Sequence, residues 1–591
     1  MIGKMLKFVY HFVIGIFAIL GVVVALAMVA VGVFIYRSME APRAPAPDLV
    51  LTATLEGPLE EGPGSDPFQA LLHGASGSFG EIIEALDVAG TDSHVRGVVL
   101  DVGRSELGFA QNEELRQAIA RFRQSGRFAI AFADSFGEMD SGTAAYHLAS
   151  ACDEIWLQPI GLVGLTGIAI EDYFAKDALA KIGVSFDMRK RREYKTAADA
   201  LTENAMTPAN REMLESLVAD LSGTMMADIA SARHIPSGKL DALVANAPLT
   251  AGEALGEKLI DGIAYSEIVF DDALARAGQD ADSMNLLDYL AANRPDTSSD
   301  KSIALIYATG EIGRGSGNGM DPFETSTLSQ ADAVANTIMD ATDDESVAAI
   351  VLRVDSPGGS AVASETVRGA ILRAKENSVP VIVSMGNTAA SGGYWISMDA
   401  NRILAENTTL TGSIGVLAGK PVGEELLKKL GVSWEGIAKG DNALMWSSAR
   451  PFTAAESARI DALLDSTYGE FTARVAEARS LSPDEVEKIA RGRVWTGKQA
   501  LGLKLVDGIG GLHEAWLAAR EVAGISDSET TPLVPYAESG GVWQSIRQLL
   551  SDARNWGLES SRIGVVLHRL IGIFSAPQAG TARMPEISVR E

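Results

Sequence analysis

The chain repeats itself once, and the repeat limits what it can fold into. Thr250-Ala-Gly-Glu-Ala-Leu-Gly-Glu-Lys-Leu-Ile-Asp-Gly-Ile263 returns as Thr496-Gly-Lys-Gln-Ala-Leu-Gly-Leu-Lys-Leu-Val-Asp-Gly-Ile509, with nine of fourteen positions identical at an offset of 496 − 250 = 246. Asp66-Pro67-Phe68 returns as Asp321-Pro322-Phe323, offset 255, and Gly183-Val184-Ser185-Phe186 as Gly431-Val432-Ser433-Trp434, offset 248. The matches keep their order in both halves, and small loop insertions make such an offset drift. A chain of 591 residues has room for two to four domains. It reads as two copies of one fold, residues 48–290 and 302–522, joined by a polar linker at 291–301.

Both copies carry one coarse pattern. An opening apolar run (Leu49 to Leu55; Ile303 to Tyr307) leads through a glycine-rich stretch to a helix and then a strongly apolar strand, Gly97 to Val102 or Ala348 to Val354. A further helix precedes a further strand, Phe128 to Ala133 or Val379 to Val383. Strands alternating with helices predict an α/β fold with mainly parallel sheets. In such folds the loops at the carboxyl ends of the strands hold the site.

Ahead of the first copy, Phe8 to Tyr36 has no charged residue, with His11 and the tyrosines near its ends its only ionisable side chains. That exceeds the roughly 20 residues a spanning helix needs, so residues 8–36 are expected to be a transmembrane anchor. Lys4 and Lys7 precede it, with Arg37 and Arg43 more sparsely spaced after it. This bias places residues 1–7 in the cytoplasm and the bulk of the chain outside. Ala25-Leu26-Ala27 resembles the cleavage site of a removable signal peptide, but the apolar run continues well past it. Residues 37–47 carry three prolines and read as a semi-rigid spacer. Residues 523–591 are expected to be a helical tail, with amphipathic helices over Trp543 to Leu570. A formal net charge of −27 argues against a nucleic-acid partner, because phosphate binding needs a basic face. The single cysteine, Cys152, allows no intrachain disulfide. Seven histidines without a His-x-x-x-His pair support no zinc site, and neither metal nor cofactor is expected.

The chemistry concentrates in the second copy. Asn387-Thr388-Ala389-Ala390-Ser391-Gly392-Gly393-Tyr394 joins an apolar strand to a breaker-free segment, Tyr394 to Ala400, that reads as a helix. Ser391 thus sits near a helix N-terminus, where free N–H groups favour developing negative charge. Taken alone, the turn reads as a capping serine in a glycine-rich bend. As a nucleophile, Ser391 needs oxyanion donors and a base. Asp355-Ser356-Pro357-Gly358-Gly359-Ser360, at a strand's carboxyl end, offers backbone N–H groups for an oxyanion. The first copy has Asp101-Val102-Gly103-Arg104-Ser105 there, and an offset of 250 sets Ser141 opposite Ser391. No histidine lies near the motifs of the second copy, so a serine–histidine–acid triad is not expected. A lysine serves if burial or neighbouring cations keep it neutral. Arg189-Lys190-Arg191-Arg192-Glu193-Tyr194-Lys195-Thr196-Ala197-Ala198, in the first copy, offers Lys195, whose counterpart at offset 248 is Ala443. On composition alone that basic run reads as a solvated face. As the source of a base, it makes the two copies complementary.

Four motifs together resemble a known family: Thr388-Ala-Ala-Ser391-Gly-Gly-Tyr394, Asp355-Ser-Pro-Gly-Gly359, Thr411-Gly-Ser-Ile-Gly-Val416 and Tyr194-Lys-Thr-Ala197. In family order on a duplicated chain, they are similar to the S49 peptidases, in the long tandem form of the signal peptide peptidase A or protease IV type. The resemblance runs from the anchor to about residue 522. It implies tandem ClpP/crotonase-like domains, a single-pass anchor in the bacterial inner membrane, a periplasmic catalytic portion and a homotetramer. It also implies a serine endopeptidase with a Ser–Lys dyad, Ser391 as nucleophile and Lys195 as general base. Gly359 and Gly392, then Gly358, become the oxyanion donors, and Ser413 a hydrogen-bond partner of the lysine. The implied substrates are signal peptides already cut from secreted proteins, or other apolar peptides. A crotonase-type enzyme acting on acyl thioesters and a non-catalytic membrane scaffold are the rival readings. Neither has a use for Lys195 and Ser391 together.

Overall fold

The computed structural model describes residues 48–62, 77–294, 299–315, 328–526, 529 and 531–536, with two short strands, Thr581–Arg583 and Val589–Arg590. The expected anchor (8–36), its spacer and the helices expected over 543–570 lie outside the described residues. Among the described residues, no helix is long and apolar enough to cross a membrane.

Two mixed α/β layers dominate, each built on a mainly parallel sheet. In the first sheet the strands run in the order Asp282–Asn285, Leu49–Gly57, Val95–Ser105, Phe128–Ala133, Glu154–Leu157 and Gly262–Ile263, all parallel. The second repeats this order with Leu533–Pro535, Ser302–Thr309, Val347–Ser356, Val381–Ala390, Arg402–Ala405 and Gly508–Ile509. The central strands form where the sequence is richest in Val, Ile and Leu, because helices cover both faces and leave few positions for polar residues. Val98, Val99 and Leu100 are buried, as are Ile350, Val351 and Leu352 at the equivalent places. Helices such as Phe79–Thr91 start at sequence-encoded caps: Ser78 Oγ accepts from the Glu81 N–H at 3.3 Å while Glu81 Oε2 accepts from the Ser78 N–H at 3.1 Å.

Duplication extends to single hydrogen bonds. Tyr146 Oη donates to the Leu259 carbonyl at 2.6 Å, and Tyr394 Oη to the Leu505 carbonyl at 2.9 Å. Asp261 accepts from the Ile155 N–H and Asp507 from the Ile403 N–H, both at 2.8 Å. Arg233 pairs with Asp261 as Arg479 does with Asp507. The tyrosine pair fixes an offset of 394 − 146 = 248 in the helices. In the strands before them, Ala129 and Val381 accept equivalent bonds from Asp153 and Asn401, an offset of 381 − 129 = 252. The first copy is therefore four residues longer between strand and helix, and a uniform offset of 250 misplaces the turn. The bond from the Ser391 N–H to the Gly412 carbonyl is matched by Gly142 to Gly164, both 2.8 Å. Gly142, with Thr143 next to it, stands opposite Ser391, and Ser141 does not.

The halves meet across buried polar groups. Arg353, fully buried in the second half, donates to Glu61 Oε2 at 2.8 Å and Glu114 Oε2 at 2.7 Å, both in the first half, and to Ser384 Oγ at 2.8 Å. Asn387 Oδ1 accepts from the N–H groups of Ala110 and Gln111 at 3.1 and 3.2 Å. It caps the Phe109–Gln124 helix of the other half, whose own N-cap, Gly108, has no side chain to offer.

Candidate active site

Ser391 ends the Val381–Ala390 strand and caps the short Gly392–Ser397 helix, with φ 57° and ψ −112°. That backbone conformation costs a non-glycine residue on the order of 1–3 kcal/mol and persists because the surroundings over-determine it. Besides the bond to Gly412, the Ser391 carbonyl accepts from the Trp395 N–H at 2.9 Å. Trp395 is clamped in turn between Phe471, 4.4 Å away between ring centroids, and Glu365, which accepts its indole N–H at 2.9 Å. The apolar helix face thus pins a strained serine.

Lys195 comes from the other half along a strand that crosses over. Ser185–Lys190 pairs antiparallel with Leu417–Val422, Lys190 lying opposite Leu417. The Arg191 N–H continues the contact to the Val416 carbonyl at 2.8 Å. The basic run around it is a clamp between the halves more than a solvated face: Arg189 and Arg191 pair with Asp461, Arg191 also with Asp465, and Arg192 with Glu487. Among the described residues Lys195 itself has no carboxylate partner, and it is fully buried, as are Ser391 and Ser413. Its Nζ lies 2.7 Å from Ser391 Oγ, 3.0 Å from Ser413 Oγ and 3.1 Å from the Ser413 carbonyl oxygen. Burial alone holds the Lys195 ammonium well below the ordinary lysine range. A neutral amine suits this geometry. Its two N–H groups donate to Ser413 Oγ and the Ser413 carbonyl, and its lone pair faces the Ser391 hydroxyl.

The two glycines expected first as oxyanion donors are brought together. A Cβ placed on Gly392 would lie 3.0 Å from the Gly359 amide nitrogen and 2.7 Å from Ser364 Oγ. Gly359 sits in the short Gly358–Ser360 strand at φ 153°, where a Cβ would run into the Ile312 backbone at 2.2 Å. Gly358 is placed differently, because its N–H already donates to Ser356 Oγ at 3.2 Å.

Two supporting residues, Gly492 and Ser364, escape a reading by motif, and a third, Ser356, sits inside one without an assigned role. Gly492, at φ 83°, backs onto Lys195 so closely that a Cβ there would lie 2.5 Å from the Lys195 backbone nitrogen. Ser364 packs its hydroxyl on Gly392, and Ser356 engages Gly358.

The chain is similar to known peptidases. The family model for peptidase family S49 matches twice, at residues 132–283 and 373–526. Protease 4 of Salmonella typhi is 34% identical over 460 residues, 75% of this chain and 72% of that protein. The chloroplastic serine protease SPPA of Arabidopsis thaliana is 30% identical over 554 residues, 92% of this chain and 78% of that protein. Protease 4 of Haemophilus influenzae is 31% identical over 456 residues, 74% and 71% of the two chains. A solved ClpP1 variant from Listeria monocytogenes, 15% identical, covers 37% of this chain and 95% of its own at a TM-score of 0.23. With the family model matched in both halves and relatives at 30–34% identity along most of their length, the chain is a serine peptidase and belongs to peptidase family S49.

Proposed function

We propose that the chain is a membrane-anchored endopeptidase that degrades cleaved signal peptides with a Ser–Lys dyad, Ser391 the nucleophile and Lys195 the general base. The observation that carries this reading is the 2.7 Å contact between Lys195 Nζ and Ser391 Oγ, with both side chains buried. Neutral Lys195 takes the hydroxyl proton as Ser391 Oγ bonds to the peptide carbonyl carbon. The amides of Gly359 and Gly392 hold the oxyanion, and Ser413 keeps the amine aimed. The C–N bond then breaks, Lys195 hands its proton to the leaving amine, and water releases the acyl group from Ser391. The Gly358 amide is assigned to the loop instead, because Ser356 already occupies it.

Residues 48–290 and 302–522 act in this reading as two ClpP/crotonase-like units, one supplying the lysine and the other the serine. Residues 8–36 hold the enzyme in the inner membrane with its catalytic portion in the periplasm, and the working form is a homotetramer. An acyl-thioester enzyme needs paired amides but no lysine on the serine, and a scaffold needs neither.

Ser391→Ala and Lys195→Ala, each checked for folding by circular dichroism, are expected to lower kcat/KM on a peptide substrate by at least ~10³-fold. Wild-type turnover in either folded variant sinks the dyad.

A further inference from the structure

Four arginines, Arg96, Arg123, Arg127 and Arg276, line one open pocket of the first half, with Phe128 and Asp153 between them. The pocket lies at the amino ends of the strands. Arg96 stands at the start of Val95–Ser105, and Arg127 directly before Phe128–Ala133. Ser391 and Gly358–Ser360 follow the opposite, carboxyl ends of their own strands. In a chain with a formal net charge of −27, such a cluster does not come from composition. Carboxylates orient three of the four: Arg96 pairs with Asp48, Arg123 with Asp153, and Arg276 with Glu154 at 2.9 Å. The side chains of Arg96 and Arg276 remain 54% and 47% exposed. Arg276 also lies over the Phe128 ring, 4.5 Å from its centroid. Among the described residues Arg127 has no carboxylate partner, and its guanidinium bonds to Ser125 and the Asp92 carbonyl.

The second copy shows that the fold does not need these arginines. Val50 lies opposite Gly97 just after a break in register, and Ile303 opposite Ala349 after the same break, so Ala348 answers to Arg96. The strand offset of 252 sets Val379 opposite Arg127. The helices starting at Ser266 and Leu512, offset 512 − 266 = 246, set Val522 opposite Arg276. Only Arg123 keeps a basic counterpart: Lys375 bonds to the Asp399 carbonyl as Arg123 does to that of Ala151. Three arginines thus stand where the other copy has an alanine and two valines. The copy that carries them is the one that follows the expected anchor. Residues 37–47 span at most ~40 Å when fully extended, so on that reading Asp48, and Arg96 with it, stays within that distance of the bilayer.

We propose that the arginine pocket binds the phosphate groups of anionic phospholipids and sets how the anchored enzyme sits on the membrane. The source of the ligand rests on the anchored reading above. Guanidinium forks match phosphate oxygens two N–H groups at a time, and an anionic bilayer attracts arginines held near its surface. Four guanidinium groups against Asp48, Asp153 and Glu154 leave one positive charge, the complement of a single phosphodiester.

The test reconstitutes the full chain from detergent with vesicles of phosphatidylcholine, alone or mixed with phosphatidylglycerol. Flotation is measured, and amide hydrogen exchange is followed at residues 94–97 and 124–128. Flotation with phosphatidylcholine alone reads the anchor. Exchange on phosphatidylglycerol relative to phosphatidylcholine reads the arginines, and it is expected to be at least ~5-fold slower, the effect of one arginine at an anionic surface. If the chain stays off phosphatidylcholine, the anchor reading fails, and flotation with phosphatidylglycerol then reads the arginines by itself. The combined variant Arg96→Ala, Arg127→Val, Arg276→Val carries the second copy's residues. With an unchanged circular dichroism spectrum, it is expected to lose the protection. Salt at ~0.5 M is expected to remove the protection of the wild type, a check that does not depend on the variant's folding. Equal exchange on the two vesicles, salt-insensitive protection, or protection kept in the folded variant overturns the proposal. Inorganic phosphate that slows exchange on phosphatidylcholine as far as phosphatidylglycerol does overturns it too, since the pocket would then take free phosphate.

Discussion

A lysine buried without a counter-charge leaves a signature in pH. Unfolded, Lys195 titrates near ~10.4; folded, burial holds it well below that. Between the two values the unfolded chain carries the extra proton, so this residue makes stability rise with pH across that window. Lys195→Met is expected to flatten that slope in denaturant titrations at several pH values, and an unchanged slope counts against a neutral lysine. For the same reason kcat/KM of the wild type is expected to climb with pH as Lys195 loses its proton. Gly392→Ala brings a Cβ within 2.7 Å of Ser364 Oγ and 3.0 Å of the Gly359 nitrogen. On the proposed assignment the added methyl displaces the two amides from the oxyanion, and it is expected to cost ~10²–10³-fold in kcat, the scale of a lost donor, at little change in KM. At this scale Ser391, Lys195 and Ser413 each lie in a short motif quoted from the sequence, and the structure sets Lys195 Nζ 2.7 Å from Ser391 Oγ and 3.0 Å from Ser413 Oγ. Gly492 and Ser364 were not legible. They act by the space they leave or fill against residues more than 25 positions away, and no local pattern encodes that. Ser141 was misassigned because an insertion in a loop leaves no mark in an averaged offset.

Among the elements, the strand that ends in Ser391 also serves the opposite half. Asn387, four residues before Ser391, caps the Phe109–Gln124 helix. Asn387→Ala is expected to cost about 1 kcal/mol of stability by denaturant unfolding, the usual worth of a side-chain cap. A loss within error would mean that the helix end finds other acceptors. The parallel strands were visible as apolar runs; Phe128–Ala133 keeps its expected ends, while Val381–Ala390 begins two residues later than Val379–Val383 and runs seven residues further. Ser185–Lys190, which delivers the lysine, was not visible as a strand. Its sequence is polar and it lies at a sheet edge. Its register is set by Leu417–Val422, more than 200 residues away.

For the molecule as a whole, Arg353 couples the halves more firmly than any surface pair. It is flanked by two buried carboxylates, Glu61 and Glu114. Exposed ion pairs contribute little, but removing one member of a buried set leaves uncompensated charge. Arg353→Met is expected to destabilise the protein by about 3–5 kcal/mol. Calorimetry should show one transition in the wild type and an earlier, broader one in the variant; an unchanged melting temperature refutes the coupling. The duplication was legible from a few matched segments. The way the copies embrace was not, since Arg353, Glu61 and Glu114 look in sequence like ordinary charged residues. Their pairing exists only once both copies are folded.

The separation of Lys195 from Ser391 along the chain also bears on synthesis. A ribosome delivers the lysine-bearing half first, and domains generally fold in the order they emerge. On the proposed assignment that half alone has no nucleophile. The later half alone would have a serine with no base. Hydrolytic power then arises only when the last strands close over Lys195, so a nascent or half-made molecule has no means to cut its neighbours.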